Sequence, residues 1–147
     1  MKSEAYQFCE RFITARLQRI QEQIDEVKAA LTSESKSTAG DKHETGRAML
    51  QLEREKLGQQ LLDAERIQQV LRKVPQESKK VKVVLGSLVK TDSVNYYIAI
   101  SAGRVVLDKE TVFCISANTP IAKLLLGKEK GDSFQFNGTL HKLLDIN

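Results

Sequence analysis

The sequence predicts an α+β protein: an N-terminal antiparallel α-helical coiled-coil hairpin followed by a small antiparallel β-sheet domain with one short helix. Three observations predict it. Apolar residues recur in steps of four and three at Ile13, Leu17, Ile20, Ile24, Val27 and Leu31, the spacing of a heptad seam. The pattern changes after Pro75 to short β-branched runs separated by turn residues. The aromatic residues avoid the middle of the chain: Tyr6, Phe8 and Phe12 open it, Tyr96, Tyr97, Phe113, Phe134 and Phe136 close it, and residues 13–95 contain none. A thin helical rod needs no large rings, whereas a layered core does.

Between the seam positions of the first helix stand Arg16, Arg19, Gln21, Glu22, Asp25, Glu26 and Lys28, which suit a solvated face. The second helix carries Leu50, Leu57, Leu61, Ala64, Leu71 and Val74 at compatible positions, among strong helix formers such as Glu53, Arg54, Glu55 and Lys56. Its seam is less regular, because Gln68 occupies an apolar place and Gly46 and Gly58 each cost about 1 kcal/mol against Ala. The short polar connection makes the helices antiparallel, and two helices of roughly 28 residues give a rod about 40 Å long. Residues 1–75 are assigned to the hairpin with its apex at about 33–45, residues 76–80 to a linker, and residues 81–147 to the second domain.

In that domain, runs at 81–85, 94–100, 105–107, 112–115, 133–136 and 139–146 have strand length. Asn137-Gly138 is the strongest hairpin signal in the chain. Thr119 as N-cap, Pro120 at the first helical position and Gly127 as terminator define one short helix.

Composition narrows the function classes. With 23 basic and 19 acidic residues among 147, the net charge is +4. Charges of both signs alternate along the chain, so no basic stripe for direct duplex DNA binding emerges. No apolar run reaches the roughly 18 residues of a membrane span, and the N-terminus mixes Lys2, Glu4 and Gln7 into its apolar residues. Cys9 and Cys114 are far apart in sequence and lack ligand-spaced neighbours, which points away from a disulfide framework or zinc site and towards a reducing cytoplasm. His43 and His141 are isolated, Ser33, Ser35, Ser37 and Thr38 suit a solvated capping loop, and 127–132 lacks phosphate-loop spacing.

Two motifs give the chain a family resemblance. Ile115-Ser116-Ala117-Asn118-Thr119-Pro120, the Leu-rich helix, Gly127-Lys128 and Gly131-Asp132 resemble the C-terminal signature of the Gre-type bacterial transcript cleavage factors, and Gly86-Ser87-Leu88-Val89 is similar to their first-strand motif. At the apex, Gly40-Asp41 and Glu44 resemble that family's Gly-Asp-x-x-Glu tip. The resemblance implies an FKBP-like C-terminal domain docking at the rim of the secondary channel of RNA polymerase, with Ser116, Asn118, Thr119 and Pro120 near the contact. It implies that the hairpin tip enters the channel, close to nascent RNA, where Asp41 and Glu44 help hold a catalytic Mg2+ so that backtracked RNA is cut. On this basis the chain has no cofactor of its own, shares the metal only inside the polymerase complex, meets DNA only through that complex, and is an accessory factor and not itself an enzyme.

Magnesium wants six oxygens, so two carboxylates can only complete a site shared with other ligands. The same Asp41 and Glu44 also fit a capping box, in which Asp41 accepts from the backbone and Glu44 reaches back. Thr45, Arg47 and Ala48 stand where the family usually carries an Asn and then a Glu-Tyr pair, and Lys36, Lys42, His43 and Arg47 place basic side chains beside the acidic pair. A Gre-like channel-binding modulator without cleavage activity is therefore the alternative. A coiled-coil adaptor that dimerises through its heptads is a second alternative, although an intrachain hairpin satisfies the seam in a monomer. A prolyl isomerase is disfavoured because the second domain has only five aromatics for a proline pocket.

Overall fold

The computed structural model describes residues 1–35, 41–77 and 80–147; the side chains of Ser35, Asp41, Lys42 and His43 lie outside that description. The expected α+β architecture is present. Two long helices, α1 (Lys2–Ser35) and α2 (Asp41–Arg72), precede six strands and one short helix. Among the described residues no helix is long and apolar enough to cross a membrane. The chain divides into two compact units, Ile13–Gln68 and the combination of Met1–Phe12 with Gln69–Asn147.

Ile13–Gln68 is an antiparallel helical hairpin. Ile13, Ile20, Ile24, Val27 and Leu31 of α1 and Leu57 and Ala64 of α2 are buried, so the heptad seam closes within one chain. Leu17, Leu50 and Leu61 are half-buried. The antiparallel sense is visible near the apex, where the Arg47 Nη1 of α2 donates to the Leu31 carbonyl of α1 at 3.2 Å. A side chain at Gly46 would meet the Glu34 carboxylate at 2.9 Å, so the glycine admits a close approach of α1. Beside the small Ala64 the seam opens into a polar groove of about 410 Å3 lined by Arg16, Arg19, Gln23, Gln60 and Asp63.

The other unit is built on β1 (Leu88–Thr91), β2 (Asn95–Ala99), β3 (Gly103–Leu107), β4 (Glu110–Ser116), β5 (Ser133–Phe136) and β6 (Thr139–Ile146), with α3 (Pro120–Leu125) between β4 and β5. The strand order is β3-β4-β2-β1-β6-β5. Every pairing is antiparallel except β2 with β4, so the expected wholly antiparallel sheet is corrected at one ladder. After β2 the chain crosses the end of β4, where Ala102 N–H donates to the Cys114 carbonyl and Ser116 N–H to Ser101 Oγ. A tight turn at Asp108 and Lys109, both with positive φ, then returns β4 between β3 and β2.

Strand alternation gives the sheet two faces. Val89, Tyr96, Ile98, Phe134, Leu143 and Ile146 form one core with Val83 and with Ile121 and Leu125 of α3. Leu88, Tyr97, Ala99, Val112 and Cys114 occupy the other face and are buried, as are Ala5 and Cys9 in the first turns of α1 and Leu71 and Val74 at the end of α2. Tyr6 Oη donates to the Leu71 carbonyl at 3.4 Å, and Lys2 Nζ to the Glu77 carbonyl at 2.7 Å, tying the two helix ends together.

The run at 81–85 is not a strand. Gly86, with φ +91°, and the Ser87 N–H to Val84 carbonyl bond turn the chain there, leaving a single bridge of Lys82 with Glu129. Val83 is nevertheless buried, its backbone paired with Lys128 and Gly127, and the first true strand begins two residues beyond the turn at Leu88.

Candidate functional sites at the hairpin apex and the β4–α3 turn

The apex site is built on the first turn of α2, which begins at Asp41. The Asp41 side chain lies outside the described residues, as do residues 36–40; Glu44 is described and exposed. Three residues apart on a helix, positions 41 and 44 share a face. Arg47 shares it too, half-buried and anchored to the Leu31 carbonyl, so a fixed cation sits one turn beyond Glu44. Lys28, Thr32, Arg47, Gln51 and Arg54 line a groove of about 380 Å3 that contains no acidic residue. Among the described residues no three His, Cys, Asp or Glu side chains gather as a metal site. The close approach of Glu34 to Gly46 brings a further carboxylate near the apex. Sequence reasoning missed Glu34; the only available signal was the glycine opposite it.

The β4–α3 turn brings Ser116, Asn118, Thr119 and Pro120 together in one short segment. Ser116 ends β4, and its carbonyl accepts from both Thr119 N–H at 3.2 Å and Thr119 Oγ1 at 2.8 Å. The same Thr119 hydroxyl accepts from Ala122 N–H at 3.3 Å, which is the expected N-cap, and Pro120 occupies the first turn of α3. With its hydroxyl both donating and accepting, half-buried Thr119 shapes the turn, while Asn118 and Pro120 are exposed. The Leu126 N–H returns to the Ala122 carbonyl, and Gly127 with φ +84° ends the helix.

Elsewhere in this unit, Tyr96 packs towards the α3 side of the sheet and stacks on Phe113 at 6.3 Å, so it offers no exposed stacking platform. Tyr97 is fully buried on the other face. His141 pairs with Asp92 at 3.3 Å and lies against Phe134, an arrangement that orients a surface ring.

The geometry defines a class by shape: a helical hairpin followed by a sheet domain with one capped helix. No family model matches the chain, and no curated protein matches it. Among solved structures, one titled as the structure of the transcription factor Gfh1 is similar over 94% of this chain and 92% of its own, at 20% identity and a TM-score of 0.37.

Proposed function

We propose that the chain is a Gre-like regulator of bacterial RNA polymerase. In this proposal the β4–α3 turn docks on the polymerase and the α1–α2 apex is presented to its active site through the secondary channel. The observation that carries it is the shape of the turn: the Ser116 carbonyl and the Thr119 hydroxyl hold the corner, and Asn118 and Pro120 are exposed within the very segment that resembles the Gre-type signature. A corner held by its own hydrogen bonds loses little entropy on binding. The closure of the heptad seam within one chain supports a monomer over a coiled-coil adaptor.

At the apex, Asp41 and Glu44 would add two carboxylates to a magnesium ion already held by the polymerase, stabilising the charge that develops as an RNA phosphodiester is cut. The chain contributes only the carboxylates and their delivery on a stiff hairpin. Arg47 favours the second version of the proposal, a channel-binding modulator that does not stimulate cleavage. Its guanidinium is fixed by the Leu31 carbonyl one turn from Glu44 and opposes a divalent cation there.

Transcription complexes stalled in a backtracked state test the two versions. Accelerated cleavage by the intact chain, lost in Asp41→Asn and Glu44→Gln, supports tip-assisted cleavage. Binding without acceleration supports the modulator, and Arg47→Ala is then expected to restore part of the cleavage. Absence of any binding rejects both.

A further inference from the structure

We infer that the groove between α1 and α2 near the hairpin apex is a polyphosphate-binding site, which takes the phosphate chain of inorganic tripolyphosphate or of a nucleoside triphosphate without recognising a base. The groove, of about 380 Å3, is lined by Lys28, Leu31, Thr32, Arg47, Gln51 and Arg54 and lies wholly within Ile13–Gln68. That volume falls in the range of roughly 300–1,000 Å3 typical of small-molecule sites. Lys28, Leu31 and Thr32 stand at i, i+3 and i+4 along α1, and Arg47, Gln51 and Arg54 at i, i+4 and i+7 along α2, so each set forms one stripe of its helix. The Arg47 bond to the Leu31 carbonyl fixes the antiparallel register at one end. From that point α1 runs back to Lys28 as α2 runs on through Gln51 towards Arg54, which sets three cations around one groove.

The sign of the charge decides the ligand class. The groove beside Ala64 includes Asp63, and the one lined by Lys80 and Lys130 includes Glu129 and Asp145, so both balance their cations internally. The groove near the apex has three cations and no acidic residue; Glu34 and Glu44 belong to the apex but do not line it.

The donors suit phosphate oxygens. A guanidinium presents several N–H groups in a planar fork that matches phosphate geometry, and half-buried Arg47, already held by the Leu31 carbonyl, costs less to order than a free surface side chain. Lys28 adds a point charge and Gln51 an amide donor, while the Thr32 hydroxyl donates to the Lys28 carbonyl at 3.1 Å and forms part of the wall. The seven residues from Arg47 to Arg54 rise about 10 Å along the helix, more than a single phosphate bridges, so the spacing favours a chain of phosphates. Residues 13–95 contain no aromatic side chain, which leaves no ring for a base to stack on and places the affinity in the phosphates.

The test is isothermal titration of the purified chain, in magnesium-free buffer of low ionic strength, with tripolyphosphate, ATP, CTP and orthophosphate. The expected result is saturable one-to-one binding of the three polyphosphates with similar Kd values below about 1 mM. Orthophosphate, which meets fewer of the cations, should bind at least about tenfold more weakly, and added salt should weaken every ligand. Lys28→Gln and Arg54→Gln, both at exposed positions, should each weaken tripolyphosphate about fivefold, and Arg54→Lys should retain most of the binding. Arg66→Gln, an exposed arginine outside the groove, should leave it unchanged. No polyphosphate binding, binding indifferent to Lys28→Gln and Arg54→Gln, or an equal loss in Arg66→Gln would overturn the proposal. So would binding of ATP without binding of tripolyphosphate, or tighter binding through Lys28 and Arg54 of a short RNA that lacks a 5′-triphosphate.

Discussion

Gly86 has a φ of +91°, and a Cβ built there would lie 2.5 Å from the Pro75 carbonyl oxygen and 3.3 Å from Val74 Cγ1. Gly103 has a matching φ of +93° but nothing within 4 Å of the same position. The two glycines therefore separate backbone strain from steric contact. An L-residue in this left-handed region costs roughly 1–2 kcal/mol, and that is the whole expected cost of Gly103→Ala. Gly86→Ala bears the same strain and also forces a backbone carbonyl, which has no flexible end to swing aside, away from ordinary contact distance. An overpacking cost of about 1–3 kcal/mol brings the total to roughly 2–5 kcal/mol. At about 2–4 °C per kcal/mol for a chain of this size, Gly103→Ala should lower the melting temperature by about 2–8 °C and Gly86→Ala by about 4–20 °C. Urea denaturation followed by tyrosine near-ultraviolet circular dichroism reports the sheet unit, which holds every tyrosine. Equal destabilisation by the two substitutions would refute the close approach of residue 75 to the Gly86 turn.

Other outcomes follow from the same packing. Burial disfavours the Tyr97 phenolate, and the neighbouring Cys9, Cys114 and Tyr6 add to the effect, so its pKa in the folded chain lies above its ordinary value near 10. A raised pKa gives stability that is complete below pH 10 and is lost as pH climbs towards the folded value, by up to about 1.4 kcal/mol per pH unit. Tyr97→Phe should flatten that alkaline loss in urea titrations between pH 9 and pH 11.5; an unchanged slope would place the ionisation elsewhere. Thr119→Ala removes the α3 cap and should cost about 1 kcal/mol in chemical denaturation, whereas Thr119→Ser should retain most of the stability. Asn118→Asp, at an exposed position, should leave denaturation unchanged while weakening polymerase binding at least several-fold in an equilibrium titration.

The sequence was most informative where one residue type has one physical use. Thr119, Pro120 and Gly127 bracket α3 as capping chemistry requires, and Asn137-Gly138, both with positive φ, makes the β5–β6 turn. The heptad seam was equally legible, since steps of four and three leave few alternatives. What escaped was set by long-range arrangement. The run at 81–85 has strand composition, but Gly86 turns the chain away before a ladder can form. The parallel β2–β4 ladder depends on where the chain crosses after Ala99, which no local pattern records. The Asp108-Lys109 turn was hidden because neither residue is a glycine. At the candidate sites, Ser116, Asn118, Thr119 and Pro120 lie in one turn because they are near neighbours in the sequence. Glu34 near Gly46 was missed because folding alone makes the two neighbours.

Direct binding of the purified full-length chain to bacterial core RNA polymerase is the measurement closest to the central claim. Saturable one-to-one binding is expected, weakened by Asn118→Asp and by Pro120→Ala, and competed by a protein that occupies the secondary channel. No saturable binding, or binding indifferent to both substitutions and to that competitor, would contradict the assignment of the β4–α3 turn as a polymerase-docking surface.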